Sequence, residues 1–166
     1  MVRLLIQRVK SASVTVNQET VGRIGPGLLC LLGISKEDTD IAVINKQAEK
    51  LLKLRVWDEI IEAPEEEITE EKPKPARKWH TNVIQRDYEI LVVSQFTLYS
   101  VMNGNKPDFH KAKEPVGAEE FYDKFVAKLK ADYGPSKIAT GKFGAYMNVE
   151  SVNDGPVTIS WDSDLK

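Results

Sequence analysis

The spacing of apolar positions along this chain changes period several times, and each change predicts an element. Residues 2–9 and 12–16 carry apolar and β-branched side chains in partial alternation, with Ala12, Val14 and Val16 on one face, and so predict strands. Gly25-Pro26-Gly27 is turn chemistry, and the apolar run 28–34 after it predicts a strand buried on both faces. The period then lengthens. Ile41, Ile44, Ala48, Leu51 and Leu52 share one helical face behind Asp38 and Asp40, which predicts a helix over 39–54 with acids at its N-terminus. A brief strand is expected at 54–57 and a longer one at 88–99, where Tyr88-Glu89-Ile90-Leu91-Val92-Val93 runs into the polar group Ser94-Gln95-Phe96-Thr97. Phe121, Tyr122, Phe125, Val126 and Leu129 place a second helix at 118–132, with Glu119 and Glu120 in its first turn and Gly134-Pro135 ending it. Residues 145–152 and 157–161 alternate again, joined by Asn153-Asp154-Gly155-Pro156 read as a tight turn. With no internal repeat, this order predicts one layered α/β domain over residues 1–166, its helices on one side of a sheet.

Composition narrows the class. At 166 residues the chain can bury a core without staples. No apolar run reaches eighteen residues and no charged-then-apolar leader is present, so neither a membrane span nor a secretory signal is expected and a cytoplasmic setting follows. The single cysteine, Cys30, sits in Leu28-Leu29-Cys30-Leu31-Leu32, where it reads as a small buried hydrophobe. Net charge is −2, but residues 58–71 hold eight acids and no base while 72–78 hold four bases and no acid. That segment therefore carries −4 and the rest of the chain +2. Together with Pro64, Pro73 and Pro75, it predicts a charged surface loop at about 58–80. A body of +2 lacks the basic footprint of a duplex binder, so no DNA partner is expected, yet it suits a grip on an RNA 3′ end where few phosphates are neutralised.

The candidate chemistry gathers at the end of the 88–99 strand. Thr97 is the nucleophile by residue type, but its hydroxyl is weak without a neighbouring base, and a threonine in a strand is also simply a good strand residue. The backbone N–H of Phe96 or Thr97, where ladder pairing stops, could instead hold an oxyanion. Lys106, His110, Lys111 and Lys113 give 102–113 a positive balance against Asp108 that suits phosphates, or stands as solvated charge. Phe143 lies in Gly141-Lys142-Phe143-Gly144, where it either stacks on a base or packs in the core. His80 and His110 have no ligand-spaced partners, so no metal and no cofactor is expected.

Several segments carry a more specific signal in their order along the chain. Gln7-Arg8-Val9 with Ser11-Ala12-Ser13-Val14, the run GLLCLLG at 27–33, Ser94-Gln95-Phe96-Thr97-Leu98, GNKPDFH at 104–110, GKFGAYM at 141–147 and Asn153-Asp154-Gly155-Pro156-Val157-Thr158 together strongly resemble the D-aminoacyl-tRNA deacylase family. The match spans nearly the whole chain, and its clear departure is 58–78, which looks longer and more charged than the family loop. The resemblance implies a compact three-layer β/β/α fold with mixed sheets, paired as a homodimer. It implies a hydrolase that cleaves the ester of D-aminoacyl-tRNA to free D-amino acid and tRNA, a proofreading step in translation that also tolerates glycine.

The same resemblance assigns Ser94, Gln95, Phe96 and Thr97 to the catalytic segment. It implies that the Gly155-Pro156 bond is cis and enters the partner subunit's site as a backbone wall that rejects L-amino acids. Arg8 is similar to the family arginine that braces this loop, a surface ion pair being the competing reading. Lys106, His110, Phe143 and Met147 would meet the tRNA 3′ end. The nucleophile stays open between Thr97 and the free 2′-hydroxyl of the terminal adenosine, which stands beside the ester, and the second is preferred. A non-catalytic RNA-binding β module is the alternative reading, and it calls for basic residues interleaved with aromatics on one sheet face. A small-molecule esterase is third, and Gly-x-Ser-x-Gly is absent.

Overall fold

The computed structural model describes residues 2–61 and 75–163. The first two expected strands are one, β1 (Val2–Val16), bordered on one edge by β3 (Gly27–Ile34) along its first half and by β2 (Glu19–Ile24) along its second. β4 (Glu89–Ser94) and then β7 (Ile138–Thr140) add to β3 in parallel, and β8 (Asn148–Asp162) covers the other edge of β1, giving a six-stranded mixed sheet. Helix α1 (Ile41–Lys53) follows β3, and α2 (Pro115–Tyr133) precedes β7. A small hairpin of β5 (Val101–Asn103) and β6 (Lys106–Asp108) stands apart from the main sheet.

Two cores lie on opposite faces of the central strands. Val2, Leu4 and Ile6 of β1, with Leu28, Cys30 and Leu32 of β3, pack beneath the apolar faces of α1 and α2. Leu29, Leu91 and Val93 point the other way, where Ala12, Val14 and Val16 of β1 and Ile24 of β2 cover them. Period-2 alternation in β3 and β4 is thus masked, because both faces are buried. Each fully buried aliphatic side chain contributes about 1.5–3 kcal/mol relative to exposure.

The local chemistry explains where the elements differ from expectation. Asp40 caps α1, its carboxylate accepting from the N–H of Ala42 at 2.8 Å. α2 starts earlier than the apolar period, because Glu114 accepts from the N–H groups of Val116 and Gly117 and Pro115 takes the first helical position. The expected strand at 54–57 reduces to one bridge between Trp57 and Thr81. The strand expected over 88–99 stops at Ser94, and Phe96–Tyr99 form a 3₁₀ turn.

The largest correction concerns residues 153–156, which are not a hairpin turn. β8 runs straight through them, and both of its halves pair with β1. Between Gln7↔Thr158 and Val9↔Asn153 it advances five residues, 158 to 153, where β1 advances two, 7 to 9. Asn153-Asp154-Gly155-Pro156 is therefore a bulge opposite Arg8, since the long partner strand continues past it on both sides. The charged excursion is described only at its base, where the N–H of Glu59 donates to the Arg77 carbonyl and His80 donates to Trp57. Residues 62–74 lie outside the described residues. Among the described residues no helix is long and apolar enough to cross a membrane.

Candidate active site

The parallel strands β3, β4 and β7 end on the same side, and a cleft of about 580 Å³ opens there. Parallel strands bind ligands beyond their carboxyl ends because the chain must leave the sheet there in loops. Ser94 closes β4, and Gln95 still donates its N–H to the Leu32 carbonyl at 2.8 Å before the backbone turns away from the ladder. The turn can lie flat on β3 because position 33 is glycine: a Cβ there would stand 3.0 Å from Leu98 Cβ and 3.2 Å from the Gln95 carbonyl oxygen. The N–H groups of Phe96 and Thr97 have no hydrogen-bond partner among the described residues. The Gln95 side-chain amide donates to the Thr97 hydroxyl, fixing both against the turn.

Ser94, Gln95, Phe96, Phe143 and Met147 all line this cleft. Phe96 is 58% exposed and meets Phe109 edge to face, ring centroids 5.1 Å apart. Phe143 lines the cleft while its ring stands 5.6 Å from that of Tyr122 and packs on the main core, as the core reading expects. Thr97 stands one residue beyond the lining and touches it through Gln95. Lys106 and His110 are exposed outside the cleft. Asp108 accepts from the backbone N–H of His110 at 2.8 Å and from its ring, and these bonds hold the Asp108 carboxyl below its usual range.

Arg8, Gly155 and Pro156 are not in the cleft of their own chain. The Gly155–Pro156 peptide bond is cis, and Gly155 has φ 125°, a region open to glycine. Arg8 Nε donates to the Asp154 carbonyl at 3.0 Å and stands 3.2 Å from its carboxylate, while a terminal nitrogen donates to the Val56 carbonyl. At 17% side-chain exposure this is a half-buried brace tying β1, β8 and the start of the excursion together, not a free surface pair.

One further lining residue escapes sequence reasoning: Phe109, thirteen positions from Phe96 with only a tertiary contact to join them. Lys113, expected among the positive residues of 102–113, also lines the cleft, but its Nζ donates to the Asp38 carbonyl at 2.5 Å and lies 4.8 Å from the centre of the Phe121 ring. Tyr146, 90% exposed at the rim, had a signal in its motif but no role assigned. Among the described residues no cluster of three or more His, Cys, Asp or Glu side chains could hold a metal ion.

The fold and the cleft define a mixed α/β protein with a largely apolar receptor at its parallel strand ends, closed on one side by a turn with free backbone donors. The sequence profile of D-Tyr-tRNA(Tyr) deacylase matches residues 5–162, and the chain belongs to that family. It is 43% identical over 166 residues to the D-aminoacyl-tRNA deacylase of Dictyostelium discoideum, covering 99% of both chains. Human D-aminoacyl-tRNA deacylase 1 is 44% identical over 161 residues, 97% of this chain and 70% of that one. A solved structure of the c-Myc DNA unwinding element binding protein, 44% identical, matches with a TM-score of 0.84 over 98% of this chain and 99% of that chain. A second solved structure, of a probable eukaryotic D-amino acid tRNA deacylase, has a TM-score of 0.79 at 16% identity over 96% of this chain and 98% of that chain, and so shares the fold.

Proposed function

We propose that the chain is a cytoplasmic homodimeric hydrolase that cleaves the ester of D-aminoacyl-tRNA, releasing D-amino acid and tRNA, and that also accepts glycyl-tRNA. The observation that carries this reading is the pair of unpartnered N–H groups at Phe96 and Thr97 beside an apolar cleft, in a chain of this family. Attack on the ester carbonyl places negative charge on its oxygen, and fixed backbone donors stabilise that charge without reorganising. The terminal adenosine occupies the apolar part of the cleft against Phe143 and Met147, with Lys106 and His110 outside it toward the tRNA phosphates. Its 2′-hydroxyl, adjacent to the ester, positions or activates the attacking water at high effective concentration.

Selection of the D form falls to Gly155 and Pro156 of the partner subunit. Both are exposed, next to the Asp154 that Arg8 holds, and neither lines the cleft of its own chain, so they are available to a second copy. Backbone carbonyls there meet the α-amine and block an L side chain, which leaves the D side chain unread and the substrate range broad. The two cores on opposite faces of β3 and β4 support a three-layer β/β/α arrangement in each subunit. Duplex DNA has no part in this reading, given a body charge of only +2 outside the excursion. Incubation with D- and L-aminoacyl-tRNA, following ester loss, tests it: rapid loss of the D form alone is expected, and equal rates or none would refute it.

A further inference from the structure

A second recess of about 260 Å³ shares two walls with the cleft. The first wall is a short antiparallel contact in which Ser35 bridges Ala112, the N–H of Lys36 donates to the Lys111 carbonyl at 3.0 Å, and Lys113 donates to the Ile34 carbonyl at 2.9 Å. Ile34, Ala112 and Lys113 face the cleft, whereas Ser35 and Lys111 face the recess. The second wall is the 3₁₀ turn, with Phe96 on the cleft side and Tyr99 and Ser100 on the other. A polymer leaving the cleft over these walls enters the recess next.

The recess carries two opposite charges that no described residue satisfies. Glu37 and Lys111 both line it, both residues are exposed, and neither side chain has a hydrogen bond or ion pair among the described residues. The N–H of Glu37 donates to the Ser35 hydroxyl at 3.2 Å, which holds the loop at the recess edge. Arg3 also lines it but is already engaged, with Asp162 and with the Leu98 carbonyl at 2.6 Å. A phosphate seated here would face Glu37, and an apolar group would leave both charges unmet. A neutral group with a donor and acceptors along one edge answers both.

Cytosine has that edge, a 4-amino donor beside the N3 and O2 acceptors, and acidic side chains accept from the amino group. We propose that this recess is a subsite for the cytosine of the nucleotide preceding the terminal adenosine, Glu37 accepting from its amino group and Lys111 donating to N3 or O2. The proposal rests on the tRNA reading above, since every tRNA ends in cytidine, cytidine and adenosine. Uracil puts a carbonyl oxygen where Glu37 needs a donor.

Binding and hydrolysis separate this proposal from the reading on which it rests. Fluorescence anisotropy would compare acceptor-stem RNA hairpins ending in CCA and CUA against the full chain and its Glu37→Ala and Lys111→Ala variants, beside D-aminoacyl-tRNA hydrolysis with the same two ends. Wild type should bind the CCA hairpin roughly tenfold more tightly than CUA, and each variant should lose most of that preference. In hydrolysis, the penalties for Glu37→Ala and for the CUA end should not multiply, because both remove one contact. Preference for CCA without hydrolysis of any ester would sustain the subsite and remove the deacylase reading. Hydrolysis of the D ester with equal binding of both hairpins, or penalties that multiply, would overturn the subsite.

Discussion

Arg8 donates to the backbone carbonyl of Asp154 at 3.0 Å, so the segment that carries Gly155 and Pro156 is fixed to β1 by a side chain and not by the ladder. Replacing Arg8 with alanine leaves the Asp154 and Val56 carbonyls without their charged donor. Hydrogen bonds to charged groups contribute about 1.5–3 kcal/mol, so Arg8→Ala should cost about 2 kcal/mol and lower the midpoint of thermal unfolding by roughly 4–8 °C. If the brace also sets the chiral wall, discrimination between D and L esters should weaken beyond what lost stability explains. Arg8→Lys should restore the charge without the discrimination, because one ammonium cannot span the two carbonyls. Unfolding curves and D/L rate ratios for both variants decide it.

What could be read in the sequence divides along the range of the interaction. α1 and α2 follow a 3.6-residue period set within a few turns, and both are present, with α2 lengthened by a cap at Glu114 that apolar spacing does not register. The bulge at 153–156 reads locally as a turn because Asn-Asp-Gly-Pro has turn chemistry, whereas its conformation is set by pairing with β1 about 146 positions earlier. The same limit hides the Phe96–Phe109 contact, which only tertiary packing makes. Ser94, Gln95, Phe96, Phe143 and Met147 lie in separate motifs, and the cleft brings them together.

Alkaline stability should report Tyr133. Its hydroxyl donates to the carbonyls of Tyr88 at 2.6 Å and Val83 at 3.2 Å, and burial first, then Asp87 and Glu89, push its pKa from 10.0 up to about 12. The folded state therefore keeps a proton that the unfolded chain releases, so this contribution is complete below about pH 10 and is lost as pH rises toward 12. Tyr122, buried and donating to the Val92 carbonyl, is shifted upward for the same leading reason. Tyr133→Phe should cost about 1 kcal/mol at neutral pH and make the alkaline decline shallower. Urea unfolding across that window measures both, and an unchanged slope would exclude the tyrosine.

The acidic excursion should be dispensable only between its described ends, residues 61 and 75. Trp57 is 7% exposed and meets Tyr88 edge to face, and Arg86 and Thr81 both donate to the Asp58 carbonyl, so the base belongs to the fold. Replacing 62–74 with a short glycine-serine linker should leave deacylation within a few-fold, as loop length costs little. Extending the cut to remove 59–77 also deletes the Glu59–Arg77 contact. A large loss of turnover from the shorter deletion, in a chain that still folds, would assign the acidic run a part in substrate binding.

Cross-subunit assembly of the site predicts complementation. A protein carrying Gly155→Ala lacks a competent wall, and one carrying an insertion between Phe96 and Thr97 lacks the oxyanion donors. Mixed under exchange conditions, the two should form heterodimers with one complete site each, so activity with full D selectivity returns to a fraction of wild type. A mixture that regains no D-selective activity after proven exchange would show that wall and cleft act within one chain.

The two catalytic readings part at Thr97. Its hydroxyl accepts from the Gln95 amide and has no base beside it, whereas the N–H groups of Phe96 and Thr97 have no partner among the described residues. Thr97→Ala should therefore retain activity within a few-fold, because a backbone donor survives the loss of its side chain. A D-aminoacyl-tRNA whose terminal adenosine lacks the 2′-hydroxyl should bind normally and react roughly 10²-fold more slowly, about 2.7 kcal/mol in the barrier. Single-turnover rates with both substrates separate binding from chemistry. The opposite pattern, a Thr97→Ala protein that folds and binds tRNA yet loses that factor while the deoxy substrate turns over normally, would make the threonine hydroxyl the nucleophile and leave the RNA as a bystander.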